Sequence, residues 1–290
     1  MNSKASNHLH DSSDSALDQL LVGLLQYKGD RASYRHSCDR LIEIIDSAGK
    51  QGVKLLVTPE CSCSEYTFTS KDEALSVSEQ IDGELADHIS GLAQHHQMWC
   101  VVGMIEQASD HELFNAAFIF SADGSRYCYR KRLLFDADHI WSESGDLNPI
   151  KLSTELQLSE YNINPPVSDP FPPYPLFNIF GWRVTVGICM DLNDSRFLKF
   201  CEIAAVDLIA FPTNWIDEGH DVLSYWAYLI QDMKRATLLA ANSYGADGAF
   251  TLSGRSAILQ ASPPTLYGVA PSDGDYLITC TLDYILPELP

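Results

Sequence analysis

The sequence predicts an α/β fold, and three observations predict it. Short, nearly continuous apolar runs recur through the 290 residues, 46% of which are hydrophobic. Amphipathic stretches at helical spacing separate these runs, and Gly or Pro closes most of them. Strand–helix–strand alternation of this kind buries apolar strands beneath helices and implies a sheet with helices outside.

Each element follows in order. LLVGLLQY (20–27) reads as a buried strand broken by one Gly. From Ser33 to Lys50 the apolar Leu41, Ile44, Ile45 and Ala48 fall on one helical face, and Gly49 and Gly52 mark the end. KLLVTPE (54–60) is a second strand, stopped by Pro59, and a helix is expected around 78–96. WCVVGMIE (99–106) and NAAFIFSADG (115–124) are strands, the latter closed by the Asp123-Gly124 turn signal. RVTVGICMDL (183–192) is another, followed by a helix over 194–205 and the strand VDLIAFPTNW (206–215). A helix over 222–238 then leads into LLAANSYG (238–245), and GAFTLSGRSAILQA and DYLITCTLDY read as late antiparallel strands.

Residues 1–16 are polar and read as a disordered tail before a single domain over 17–290. The Pro-rich stretch 147–177 has no periodicity. A loop of that length is either a lid or binding loop or a solvated insertion.

Composition excludes several function classes. Nineteen Lys+Arg against 39 Asp+Glu give a net charge of −20, which repels nucleic-acid phosphates and anionic lipid headgroups. No apolar run approaches the ~20 residues that span a bilayer. The N-terminus has no apolar signal region, so a cytoplasmic protein is expected. The eight cysteines sit mostly in strand- or helix-like contexts, unlike the disulfide framework of a small secreted domain. Cys61-x-Cys63 and the adjacent His95 and His96 lack the spacing of a zinc site.

Three apolar strands end in a reactive side chain: LLVTPE at Glu60, YCYRK at Lys131 and VTVGIC at Cys189. Strand ends are where α/β sheets open their crevices. Acyl transfer asks for this trio. A thiol of ordinary pKa near 8.5 is mostly protonated at neutral pH. It needs a base (Glu60), and the oxyanion it creates needs a cation (Lys131). The backbone N–H of Met190 follows the nucleophile and is a further oxyanion donor. Asn214 and Trp215, at another strand end, are either pocket residues or a strand terminus with a core indole. Arg255 is either a turn residue or a substrate contact, and His220 is expected to face solvent.

These segments carry a resemblance. PECSCSEY (59–66), YRKRLLF (129–135) and GICMDL (187–192) resemble, in order, the three catalytic motifs of the nitrilase superfamily. The resemblance extends from LLVGLLQY through FNAAFIFSADG to SGRSAIL and ITCTLDY. It implies a four-layer α-β-β-α sandwich, a Glu60–Lys131–Cys189 triad and no metal or organic cofactor. It also implies a homodimer or larger assembly. IWSES (140–144) is similar to the segment that brings a second glutamate into the pocket, which implies that Glu143 positions substrate and supports Lys131. Cys189-Met190-Asp191 is similar to the amidase branches, whereas nitrile-cleaving branches read Cys-Trp-Glu. GICMDL is similar to the protein N-terminal amidases and YRKRLLFD to the omega-amidases.

There are departures too. Glu65 stands where the family has Gly. QDMKRATLLAAN (231–242), with Lys234 and Arg235, replaces the usual Arg-Ala-x-Glu-Asn helix. The expected function is hydrolysis of a small-molecule carboxamide through a thioester. A non-catalytic scaffold, a nitrilase and an amide-forming acyltransferase are the alternatives on the same residues.

Overall fold

The structure, a computed structural model, describes residues 19–110, 112–145 and 174–284. The expected tail over 1–16, and the insertion as far as residue 173, lie outside the described residues.

Two six-stranded sheets form the body. The first contains β1 (Gln19–Gln26), β2 (Leu55–Val57), β3 (Trp99–Ser109), β4 (Glu112–Phe120), β5 (Arg126–Arg130) and β14 (Tyr276–Asp283). Its order is β14-β1-β2-β3-β4-β5, with β1 to β3 parallel and the flanking strands antiparallel. The second contains β6 (Leu176–Ile179), β7 (Trp182–Val186), β8 (Leu208–Thr213), β9 (Thr237–Asn242), β12 (Ala257–Gln260) and β13 (Thr265–Val269). It runs β13-β12-β9-β8-β7-β6 with the same plan, a parallel centre and antiparallel flanks. A separate hairpin pairs β10 (Tyr244–Asp247) with β11 (Phe250–Ser253).

The period of two along each strand divides the core. Val101, Ala117 and Ile119 join Val184, Leu208 and Leu239 in the cluster between the sheets. Their neighbours Cys100, Val102, Ala116 and Phe118 face the other way, onto α1 (Tyr34–Lys50) and, after the short α2 (Lys71–Leu75), α3 (Glu84–His96). The outer face of the second sheet receives Phe197 and Cys201 of α4 (Ser195–Ile203) and Trp226 of α5 (Val222–Leu229). Helices therefore flank two packed sheets, as the resemblance implies.

Four expected boundaries move, each for a local reason. The helix expected over 78–96 starts at Glu84, because Glu79 donates its N–H to the Ile105 carbonyl (2.8 Å) and is held beside β3. The strand expected over 183–192 ends at Val186. Beyond it the Asp191 carboxylate accepts the Ile188 N–H (2.9 Å) and bends the chain into a 3₁₀ turn over Cys189–Asn193. The helix expected over 222–238 stops at Leu229, since the chain must be extended by Thr237 to pair with Leu208. β6 occupies the end of the stretch read as an insertion.

One close approach positions the site. Ser62 donates its N–H to the Gly103 carbonyl at 2.8 Å, laying the turn after β2 flat on β3. A Cβ on Gly103 would stand 2.1 Å from the Pro59 carbonyl oxygen and 2.6 Å from the Glu60 Cα. Both obstacles are backbone. Gly103→Ala should therefore cost about 1–3 kcal/mol, as overpacking does, measured by denaturant unfolding. Wild-type stability would contradict this reading of the contact.

Candidate active site

Glu60 enters the site from the turn that Gly103 admits, and its side chain is buried. Its Oε1 accepts hydrogen bonds from Lys131 Nζ (2.8 Å) and Asn115 Nδ2 (2.5 Å), and its Oε2 from the Asn214 N–H (2.9 Å). Lys131 follows β5 directly, and its N–H is tied to the Asn115 carbonyl at 2.8 Å. Its ammonium is fully buried and donates to Asp138 Oδ2 (2.7 Å) as well as to Glu60. Asn115 bridges the two acids, since its Nδ2 also donates to Asp138 Oδ1 (2.9 Å).

Burial pushes the Glu60 carboxyl up from its ordinary range. The Lys131 ammonium opposes this rise and the Asp138 carboxylate adds to it. Burial works against the Lys131 charge, but Asp138 and Glu60 outweigh it and hold the ammonium well above its ordinary range.

Cys189 opens the 3₁₀ turn at φ 44°, a backbone region that non-glycine residues rarely occupy. Asp191 holds the chain there. Its Oδ2 accepts from Tyr129 Oη (2.8 Å) and the Ile188 N–H, and its Oδ1 from the N–H groups of Arg132 (3.1 Å) and Leu133 (2.9 Å). The carboxylate thus ties the nucleophile turn to the segment carrying Lys131. Burial pushes the Cys189 thiol up to about 12. The Glu60 charge adds to that, whereas Lys131, the Thr213 hydroxyl and the Asn214 N–H favour the thiolate. The same Asn214 N–H serves Glu60 Oε2, which puts the thiol and the carboxylate on either side of one donor.

A cavity of about 270 Å³ lies over the thiol, and Tyr66, Phe135, Met190, Asn214 and Trp215 are among the residues lining it. Met190, Asn214 and Trp215 therefore line one cavity with Cys189. The orientation of Asn214 is fixed. Its Nδ2 donates to the Glu60 carbonyl at 2.9 Å, so its Oδ1 is the atom left without a partner, buried among the described residues. The Tyr66 hydroxyl is likewise buried and unpartnered there.

Glu143 departs from expectation. It is exposed, its carboxylate pairs with Lys71 at 3.1 Å, and it is not among the cavity residues. The reason is the alternation of extended chain. Residues 142–143 run beside β4, with Ser142 turned inward to accept the Asn115 N–H (2.8 Å) and Glu143 turned out. The acid that supports Lys131 is Asp138, brought back under the ammonium by a 3₁₀ turn seven residues on. Sequence reasoning missed Asp138 and Asn115. The available signals were a polar residue opening the apolar run NAAFIF and an acid within LFDADH. Asp191, read as a marker of substrate class, also braces the turn at Cys189 and the segment after β5. Arg255 sits in a turn at φ 57°, outside the cavity lining.

Two flanked sheets with acid, ammonium and thiol meeting at their strand ends define a nitrilase-type α-β-β-α sandwich. Residues 21–260 match the carbon-nitrogen hydrolase family, and the chain belongs to it. It is 29% identical over 198 residues to a nitrilase and fragile histidine triad fusion protein of Drosophila melanogaster, covering 67% of this chain and 38% of that protein. It is 30% identical to an omega-amidase of Bos taurus, covering 60% of this chain and 56% of the relative. A nitrilase of Pyrococcus abyssi is 25% identical, with 60% and 57% covered. The chain thus spans little more than half the length of these relatives at most. Among solved structures, an amidase from Nesterenkonia sp. shares the fold, with a TM-score of 0.70 and 17% identity over 92% of this chain and 91% of that one.

Lys131→Met would leave two carboxylates buried without a cation. The expected loss is about 3–5 kcal/mol at pH 8. In that variant Glu60 keeps the rise from burial and from Asp138 but loses the opposing ammonium, so the folded state binds a proton there more readily than the unfolded state. Lowering the pH then favours folding. Denaturant unfolding at pH 8 and pH 5.5 should show the deficit shrinking at the lower pH. A deficit that grows, or none at pH 8, would contradict the electrostatic reading.

Proposed function

We propose that this carbon-nitrogen hydrolase is an amidase that releases ammonia from a small carboxamide through a thioester on Cys189. The observation that carries the proposal is the buried Glu60–Lys131 pair at 2.8 Å, whose carboxylate shares the Asn214 N–H with the Cys189 thiol. A thiol held near 12 needs a base, and Glu60 takes its proton. The thiolate attacks the carboxamide carbon. Lys131 has three N–H bonds and two are given to Glu60 and Asp138, which leaves the third for the developing oxyanion. Met190, in the first turn after the nucleophile, supplies a backbone N–H without an intrahelical acceptor. Protonated Glu60 gives its proton to the departing nitrogen and ammonia leaves. Water, deprotonated by Glu60, then attacks the thioester, releasing the carboxylic acid and restoring the thiol.

Asn214 Oδ1 favours an amide over a nitrile. It is a buried acceptor lacking a donor among the described residues, on a side chain that lines the cavity. A carboxamide NH2 supplies that donor and a nitrile has none. This gives Asn214 the reading role that the sequence assigned to Glu143. The Bos taurus relative is an omega-amidase, and a variant of the Nesterenkonia amidase carries the acetamide moiety of fluoroacetamide on its active-site cysteine. Both are consistent with the reading.

The test is ammonia release from a short carboxamide and from the matching nitrile. A site built to bond a substrate N–H rejects the analogue lacking it by up to roughly 10⁴-fold, so the amide should be the only one of the two turned over at a measurable rate. Faster turnover of the nitrile would overturn the amidase reading and leave the thiol chemistry intact.

A further inference from the structure

Six of the residues lining the cavity come from one stretch, 215–225, whose chemistry narrows the substrate. Trp215 and Tyr225 line it with ring centroids 5.5 Å apart, and Tyr225 Oη is fixed by donating to Asn193 Oδ1 at 2.7 Å. At the rim stand Glu218 and His220. No Lys or Arg is among the cavity residues described; Lys131 is buried and engaged by two carboxylates, and Arg255 faces Asp221 of this loop at 3.8 Å.

Three acids occupy this loop and two of them are spent. Asp217 Oδ1 accepts the Gly219 N–H at 2.9 Å. Asp221 caps α5 by accepting the Ser224 N–H (3.1 Å) and hydroxyl (2.6 Å). Glu218 alone has no hydrogen-bond or ion-pair partner among the described residues. The loop that presents it is pinned, since the Asp217 N–H donates to the Thr251 carbonyl at 2.7 Å and Ile216 bridges to Leu252. An unpaired carboxylate on a pinned loop, lining one cavity with two aromatic rings and no Lys or Arg, is the chemistry that recognises an ammonium ion.

We propose that Glu218 is a specificity residue, and that the substrate is a carboxamide whose remote end carries an ammonium group held by Glu218 beside Trp215 and Tyr225. The inference rests on the amidase reading of the same site. The carboxamide lies against Cys189 and Asn214, the aliphatic or aromatic body against the rings, and the cation at the rim. A substrate with a remote carboxylate would meet Glu218 with like charge, and no Lys or Arg is among the described cavity residues to offset it.

The experiment compares straight-chain carboxamides of four, five and six carbons ending in methyl, ammonium or carboxylate, at pH 8. Wild type should favour the ammonium over the methyl substrate by about tenfold in kcat/KM at the best length, in line with a half-exposed ion pair reinforced by cation–π contact. It should place the carboxylate substrate last. Glu218→Gln should bring the ammonium-to-methyl ratio to within about twofold of unity, and Glu218→Lys should rank the carboxylate above the ammonium. A wild-type preference for the carboxylate, or an ammonium-to-methyl ratio unmoved by Glu218→Gln, overturns the proposal.

A second arm separates this outcome from failure of the amidase reading. Alkylation of Cys189 by chloroacetamides bearing an ammonium or a carboxylate tail samples the same cavity without turnover. Faster alkylation by the ammonium probe, lost in Glu218→Gln, upholds the charge reading even if no amide is hydrolysed. Equal alkylation rates overturn it even if amides are.

Discussion

Three charges share a space that water does not reach: the carboxylates of Glu60 and Asp138 and the ammonium of Lys131, all essentially unexposed. Removing such groups from water costs several kcal/mol each, so the arrangement stands only because each atom is met. The ammonium touches both acids, the Asn115 amide spans them, and backbone N–H groups of Asn214 and Phe135 (2.8 Å) complete their coordination. The set carries one more negative charge than positive when both acids are ionised. Burial and the second carboxylate both raise the proton affinity of Glu60, the direction in which a general base is tuned.

The two-sheet architecture exists, in this light, to bring four strand ends to one point. Glu60 follows β2, Lys131 follows β5, Cys189 follows β7 and Asn214 follows β8. The first two belong to one sheet and the last two to the other. Two contacts lock the sheets in register at the site: Asn214 against Glu60, through both its backbone and its amide, and Asp191 against the segment after β5. Asp191 also forces the turn at Cys189, so one side chain sets both the strained backbone of Cys189 and its tie to the lysine loop. The cavity then opens above the thiol, with apolar walls and a few polar atoms left unsatisfied.

Much of this was legible in the sequence. A reactive residue closing an apolar strand is a pattern readable without coordinates, and Glu60, Lys131 and Cys189 all show it. Asn214 and Trp215 were legible for the same reason. What escaped depends on chain paths that periodicity does not encode. Whether Asp138 or Glu143 reaches Lys131 turns on a single 3₁₀ turn over Asp138–Ile140 and on which of two adjacent extended residues faces inward. Asp191 was legible only through the Cys-x-Asp resemblance, and no local signal showed that its oxygens meet four donors, from Tyr129, Ile188, Arg132 and Leu133. The helix boundary at Leu229 was set by pairing of β9 with β8, a long-range demand with no local signal.

The central claim is that the thiol poised against the Glu60–Lys131–Asp138 set forms a covalent acyl intermediate. The most direct measurement is intact-mass spectrometry of protein quenched in acid during carboxamide turnover, run beside Cys189→Ala. The account predicts a transient mass gain equal to the acyl group, confined to the peptide holding Cys189, and neither adduct nor ammonia from the variant. Ammonia release by Cys189→Ala within tenfold of the wild-type rate would contradict it.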